Sequence, residues 1–308
     1  MSELRFDLIH NHNVIVAPER NKRPDDSLVI KEETKNCPFC PGNENRTPPE
    51  SFRFNDDLNK WTIRAFPNKY PAINQSLTNG NSGYQEVLVE TPKHDQMFGE
   101  YSSNQVLNLL NAYKNRILEI KSKRNTKIVF VFKNHGKQAG ASLKHPHSQI
   151  VGLDFLSDPL KEKFRALKSY FNKENKCYYC NLLSLGKTIY KSFHFRAIIP
   201  NESRFAYECW IIPEKHQVFY ENISDTETGD LAEMIMKIVN AINIKLNNPP
   251  FNLVLQNGIY DEEIGDSFHW HLQLIPRLYQ LAGFEWATGM FINPVEPKKA
   301  ASELRKLI

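Results

Sequence analysis

No stretch of this 308-residue chain approaches the ~20 apolar residues needed for a membrane-spanning helix. The opening MSELRFDLIHNHNV has charged and polar groups where a secretory leader would need an apolar run. No membrane partner is expected from these absences, and a cytoplasmic location is. Lys/Arg-rich blocks are missing as well: 39 basic residues are interspersed with 35 acidic ones, for a net charge of +4. No basic, aromatic-interleaved stripe follows, so nucleic acid is not the expected partner and small anionic ligands suit the chain better. Cysteine is scarce, with five in all. Four of them form two CxxC pairs, Cys37/Cys40 and Cys177/Cys180, and the fifth, Cys209, sits in the apolar run ECWII, where a buried inert thiol is expected. In a reducing compartment such pairs are metal ligands or redox motifs before they are structural disulfides.

What the chain does contain is written twice. CPFC (37–40), RAFPN (64–68), VLVETPKH ending at His94, KNHG (133–136) and HPHSQ (145–149) recur as CYYC (177–180), RAIIPN (196–201), CWIIPEKH ending at His216, QNG (256–258) and HWHLQ (269–273). The two histidine landmarks stand 51 residues apart in the first copy and 53 in the second. Self-similarity in the same order marks duplication. Two homologous domains are therefore expected, residues 1–158 and 159–308.

Within each copy the apolar pattern predicts an α+β unit, a mostly antiparallel sheet with packed helices. VIVA, WTIRAF, EVLVE, KIVFVF and SQIVGL read as strands, and residues 104–121 and 225–246 read as amphipathic helices, the second with Asp225 as N-cap. The Lys- and Phe-rich segment 155–175 is expected to link the copies.

Cys37, Cys40, His94 and His145 make a Cys2His2 set, and Cys177, Cys180, His216 and His269 repeat it. Two thiolates and two imidazoles complete a tetrahedron with no place for water, which predicts two structural Zn2+ sites. A redox pair does not need histidines at matched distances in both halves, so zinc is the better reading of the CxxC motifs.

In HPHSQ, alternation places His145, His147 and Gln149 on one strand face. With His145 anchored by metal, His147 is held one step away as an unliganded imidazole, a nucleophile able to form a phosphoramidate. Upstream, NHGKQAGAS (134–142) supplies small residues, among them Gly140 and Ala141, whose backbone amides are expected to approach phosphate oxygens. Ser142 adds a hydroxyl and Gln149 an amide donor. Lys133, Lys137 and Lys144 surround the first copy, whereas Asp261, Glu262, Glu263 and Asp266 surround the second. A basic setting favours a nucleotide diphosphate, so His147 is expected to react and His271 to be structural.

These motifs resemble the galactose-1-phosphate uridylyltransferase family, the branch of the histidine-triad superfamily with two fused histidine-triad-like domains. The resemblance covers nearly the whole chain: VIVAPERNKRP (14–24), CPFCPGN, FPNKYPA (66–72), KNHGKQAGASLKHPHSQ and GFEWATGMFINPV (283–295). It implies a double displacement in which His147 takes a nucleotidyl group from a nucleotide sugar, releases the sugar 1-phosphate, and passes the group to a second phosphate acceptor. It places Gln149 at the α-phosphate, Ser142 at the departing or entering phosphate, Asn68 and Asn134 at the nucleoside, Arg20 and Arg23 near the phosphates, and Glu285 in the sugar-contacting C-terminal stretch. It also implies a homodimer.

The leading expectation is UDP-glucose:hexose-1-phosphate uridylyl transfer, in galactose metabolism. Uridylyltransferases often carry a histidine-rich iron site where this chain has its second CxxC. The paired CxxC pattern is also similar to the plant-type ADP-glucose phosphorylase, which usually has serine where this chain has Pro146. An adenylyl-specific phosphorylase acting on ADP-glucose or a diadenosine polyphosphate is therefore the alternative, and a non-enzymatic zinc module binding nucleotide or RNA is the rival from another class.

Overall fold

The computed structural model describes residues 36–73, 81–123, 125–260 and 262–308, with the backbone alone at 262 and 263 and in an antiparallel pair, β1 (Glu3–Asp7) and β2 (His12–Val16). Arg20 and Arg23 lie outside the described residues.

The first copy contributes β3 (Phe52–Asn55), β4 (Trp61–Pro67), β5 (Gly83–Val89), α1 (Ser103–Lys121), β6 (Ile128–His135) and β7 (His147–Leu153). Then come α2 (Asp158–Glu174) and α3 (Tyr178–Leu185), followed by β8 (Lys187–Lys191), β9 (Phe195–Ile199), β10 (Cys209–Pro213), α4 (Asp225–Leu246), β11 (Phe251–Gln256) and β12 (His271–Pro276). Two short helices, α5 (Gly283–Thr288) and α6 (Pro297–Arg305), close the chain.

Ten strands form one sheet in the order β3-β4-β5-β7-β6-β11-β12-β10-β9-β8, every pairing antiparallel. Read from its two edges inward, the order is the same in both copies: first, second, third, fifth, fourth. The repeated landmarks thus occupy repeated strand positions. The copies meet along β6 and β11, where Asn134 stands opposite Asn252.

Helices α1 and α4 pack on one face of this sheet. Val106, Leu109, Leu110, Tyr113, Ile117 and Ile120 recur at helical spacing and are buried, as are Leu231, Ile235, Ile238 and Ile242 on α4. The main hydrophobic cluster includes the inward residues of β6, β11 and β12, and a smaller one gathers Phe39, Trp61 and Phe66 around the first CxxC. Among the described residues no helix is long and apolar enough to cross a membrane.

One local expectation needs correction. The N-cap of α4 is Ser224, one residue before Asp225: its Oγ accepts from Glu227 N at 3.3 Å, while the Glu227 carboxylate accepts from Ser224 N at 2.8 Å. This is a reciprocal capping box, and Asp225 gains instead from the positive end of the helix. The segment 155–175 does run between β7 and α3, and most of it is the 17-residue helix α2, with Pro159 in its first turn and Phe164 and Leu167 buried.

Candidate active site and paired metal centres

A tight turn builds the first Cys/His set. Cys40 N donates to Cys37 O at 3.3 Å, Phe39 N donates to Cys37 Sγ at 3.4 Å, and Gly42 takes φ +89° to leave the turn. Cys37 Sγ lies 3.6 Å from His145 Nδ1, and Cys40 Sγ lies 3.3 Å from His94 Nδ1 and 3.5 Å from His145 Nδ1. His145 Nε2 is 2.8 Å from the Thr91 carbonyl. A carbonyl only accepts, so Nε2 carries the proton and Nδ1 turns its lone pair toward the sulfurs. Burial pulls the His145 imidazole down to about 4, so it is neutral at pH 7, as a metal ligand must be.

In the second set Cys180 Sγ lies 3.2 Å from His216 Nδ1 and 3.6 Å from His269 Nδ1. Hydrogen bonding from Cys180 holds the Cys177 thiol well below its ordinary range, and burial pulls His269 down to about 3. In each set all four candidate ligand atoms lie within 4.8 Å of one another, so each can hold a metal ion. Cys209 is fully buried and its thiol is pushed up by that burial, as an inert core thiol should be.

Strand β7 begins at His147, and its side chains alternate. Ser148 points to the α1 face, where its Oγ is 2.6 Å from the Tyr113 hydroxyl. His147 and Gln149 point the other way, into a cavity of about 360 Å³. The cavity also meets Ser142, Asn68, Thr47 and Lys69, with Phe39, Phe66, Val87 and Leu143 as its apolar walls. Phe39, inside the CPFC turn, packs edge-on against His147 at 5.2 Å and against His145 at 6.0 Å. One aromatic ring thus couples the metal set to the cavity.

His147 Nδ1 is 2.8 Å from the main-chain carbonyl of His145. By the same acceptor argument Nδ1 is the protonated nitrogen, and Nε2 keeps a lone pair for chemistry. Gln149 is oriented by a relay of amides. Ala72 N donates to Gln85 Oε1 at 2.8 Å, which turns Gln85 Nε2 to donate to Gln149 Oε1 at 2.7 Å, and Asn68 Nδ2 adds a second donor at 3.4 Å. With its oxygen engaged, Gln149 offers only N–H donors elsewhere.

Several expected site residues are placed differently. Gly140 and Ala141 do not line the cavity, and their amides are not available to a ligand: Gly140 N donates to Lys137 O at 2.9 Å and Ala141 N to Gly136 O at 3.2 Å. Their contribution is the turn itself, for which Gly136 and Gly140 adopt φ +81° and +85°. Lys133 does not attract phosphate. Its ammonium is buried against Glu90, Nζ to Oε2 2.7 Å, and so is neutralised. Asn134 is not on the cavity wall either, since Asn252 Nδ2 donates to its Oδ1 at 2.9 Å at the seam between the copies. Glu285 caps α5, accepting from Ala282 N at 3.0 Å, and does not reach the cavity.

Arg64 was quoted in RAFPN without a role. It is fully buried and donates to Pro38 O and to Thr47 Oγ1, each at 3.0 Å, so it ties the CPFC turn to β4. Its recurrence as Arg196 was the available signal, for Arg196 donates to Leu183 O at 2.7 Å beside the second CxxC.

The second HxHxQ is closed. His271 is fully buried, Tyr179 packs on it at 4.5 Å, Trp210 stacks on it at 4.9 Å, and Gln273 Nε2 lies 3.2 Å from its Nε2. Helix α2 adds Lys163, bonded to Gln256 Oε1 at 3.0 Å and pulled down to about 8 by burial.

Residues 20–156 match a family described as the N-terminal domain of a domain of unknown function, DUF4931. ADP-glucose phosphorylase of Arabidopsis thaliana is 32% identical over 99% of this chain and 93% of its own, and its crystal structure with bound ADP-glucose superposes with a TM-score of 0.82 over 99% of both chains. Galactose-1-phosphate uridylyltransferase of Thermotoga maritima is 29% identical over 99% of this chain and 98% of its own. A uridylyltransferase structure at 24% identity has a TM-score of 0.84 over the full chain and shows the same fold. Fold, site and relatives together define a nucleotidyltransferase class with an antiparallel α+β framework. Within that class the chain belongs to the galactose-1-phosphate uridylyltransferase family, in which ADP-glucose phosphorylase stands beside the uridylyltransferases.

Proposed function

We propose that this chain transfers a nucleotidyl group from a nucleotide sugar by double displacement through His147. The observation that carries the reading is the 2.8 Å contact from His147 Nδ1 to the His145 carbonyl, which puts the proton of the neutral ring on Nδ1 and so its nucleophilic lone pair on Nε2, in a residue that lines the cavity. Nε2 attacks the α-phosphorus, an N–P bond forms, and the P–O bond to the sugar 1-phosphate breaks. The Nδ1 proton stays on the ring, and the His145 carbonyl that accepts its hydrogen bond offsets the positive charge that develops there. A second phosphate oxygen then attacks the phosphorus and the N–P bond breaks, restoring His147. The Gln149 N–H donors steady the α-phosphate oxygens, and Ser142 donates to the departing and entering phosphates. The walls of Phe39, Phe66 and Val87, with Asn68, hold the nucleoside, and Arg20 and Arg23 serve the phosphates.

Both Cys/His sets are read as structural zinc sites. A tetrahedral zinc with sulfur at about 2.3 Å and nitrogen at about 2.0–2.1 Å separates neighbouring sulfur and nitrogen ligands by about 3.6 Å. The sulfur–nitrogen distances of 3.2 to 3.6 Å fit that geometry. When bound, the ion fixes His145 and therefore the carbonyl on which His147 hangs. Residues 1–158 form the reacting unit and 159–308 the closed one, two chains pair, and the enzyme works in the cytoplasm.

The donor is taken as UDP-glucose with a hexose 1-phosphate as acceptor. The adenylyl reading, with inorganic phosphate as acceptor, is favoured by one observation: the Arabidopsis complex holds ADP-glucose on a fold matching 99% of this chain. Single-turnover mixing without acceptor separates the two. The predicted result is about one equivalent of glucose 1-phosphate per chain from UDP-glucose. Release from ADP-glucose alone would assign the adenylyl reaction, and release from neither would remove the proposed chemistry.

A further inference from the structure

The loop carrying Ser142 is held in part by the other copy. Asn252 Nδ2, on β11, donates to Ala139 O at 2.8 Å and to Asn134 Oδ1 at 2.9 Å. The Ala139 carbonyl only accepts, so the Asn252 group facing it is the nitrogen, and Asn134, facing the same nitrogen, presents its oxygen. The seam is packed on both sides of this contact. His135 stacks on Phe251 with ring centroids 4.9 Å apart, and a Cβ at Gly136 would meet the Pro250 ring at 3.0 Å. Residues 250–252 therefore touch 134–139 by a proline ring, an aromatic stack and a shared amide. From Ala139 the chain runs through the left-handed Gly140 to Ser142 on the cavity wall in three residues.

We infer that Asn252 is a positioning residue for the reaction: one amide in the closed copy sets the height of the Ser142 loop and the amide orientation of Asn134 in the reacting copy. The placement of the loop follows from the geometry alone, and its catalytic consequence rests on the proposed role of His147. This gives the closed half a function that its own buried HxHxQ does not supply. It also accounts for a repeat whose halves share one continuous sheet.

The test is Asn252→Asp, which keeps size and shape but sets an acceptor against two acceptors. Two readouts are taken together. Hydrogen exchange in full-length protein should quicken at residues 136–143 while the rest of the β6–β11 pairing, at 131–133 and 253–255, keeps its protection. In single turnover, loss of the shared donor should slow nucleotidyl-His147 formation about tenfold in the otherwise unaltered chain, and less than about threefold in a Ser142→Ala background, since the two changes act through one loop. Unchanged exchange at 136–143 would overturn the inference whether or not any donor reacts. Equal slowing in both backgrounds would overturn it with the His147 reading intact. If neither UDP-glucose nor ADP-glucose reacts with the unaltered chain, the His147 reading fails and the catalytic role inferred for Asn252 falls with it; quickened exchange would then leave only the loop contact.

Discussion

The indole of Trp210 lies on the imidazole of His271 with ring centroids 4.9 Å apart and planes inclined by 24°. In the reacting copy the residue paired with Gln149, as Trp210 is with Gln273, is the smaller Val87 on the cavity wall, and the ring against His147 is Phe39, edge-on at 5.2 Å. The same HxHxQ thus serves as filling in one half and as a cavity wall in the other, with His271 0% and His147 8% exposed.

His271→Ala should leave nucleotidyl transfer within about twofold of the parent while removing about 2–4 kcal/mol of stability, the cost of emptying a packed aromatic site. Urea titration and a turnover assay on the same preparation check this. Abolished turnover in a folded variant would mean that the reacting half has been misassigned.

The Glu90–Lys133 pair predicts both a mutational and an acid effect. Burial pushes the Glu90 carboxyl up, but Lys133, with hydrogen bonds from Lys133, Ser148 and Tyr101, outweighs it and holds the group below the usual carboxylate range. A carboxyl with a depressed folded pKa stabilises fully above its unfolded value, here 4.5, and that contribution fades as pH falls through the lower folded value. Lys133→Met strands a buried anion and should cost about 3–5 kcal/mol, and adding Glu90→Gln should recover much of it. Urea midpoints from neutral pH to pH 3 should show an acid decline in the parent that is shallower in the double variant. An unaltered slope would show that the pair does not carry the acid sensitivity.

Metal content separates the two Cys/His sets. Elemental analysis of the purified chain should give about two zinc equivalents, with Cys37→Ser and Cys177→Ser each reduced to about one. Cys37→Ser should also lose activity, because His145 loses its anchor and the carbonyl under His147 moves. A single equivalent in the parent chain would leave the second set without its metal.

Much of this was legible because repetition and ligand spacing survive in one dimension. The two CxxC motifs and their matched histidines specify ligand sets by spacing, the repeated landmarks foretell the repeated strand order, and alternation holds for His147 and Gln149, whereas His145 precedes β7 instead of sharing its face. What was not legible depends on depth and partners. Lys133 reads as a surface cation, and only the fold reveals the buried Glu90 beside it. Gly140 and Ala141 read as ligand amides, but a turn consumes its own donors. Asn252 gave no signal, because its meaning comes from antiparallel pairing of β11 with β6 across more than a hundred residues. The apolar cavity wall is half-visible in sequence: Phe39 and Phe66 stand inside CPFC and RAFPN, but an aromatic residue in an apolar run reads as core until a cavity is seen beside it.

The central claim is that His147 Nε2 carries the nucleotidyl group. The most direct measurement is intact-protein mass after brief incubation with UDP-glucose and, separately, ADP-glucose, with His147→Ala alongside and peptide mapping of any adduct. The account predicts one nucleotidyl increment, uridylyl from UDP-glucose, mapped to the peptide holding His147 and absent in the variant. An increment that persists in His147→Ala, or that maps to another peptide, would contradict it.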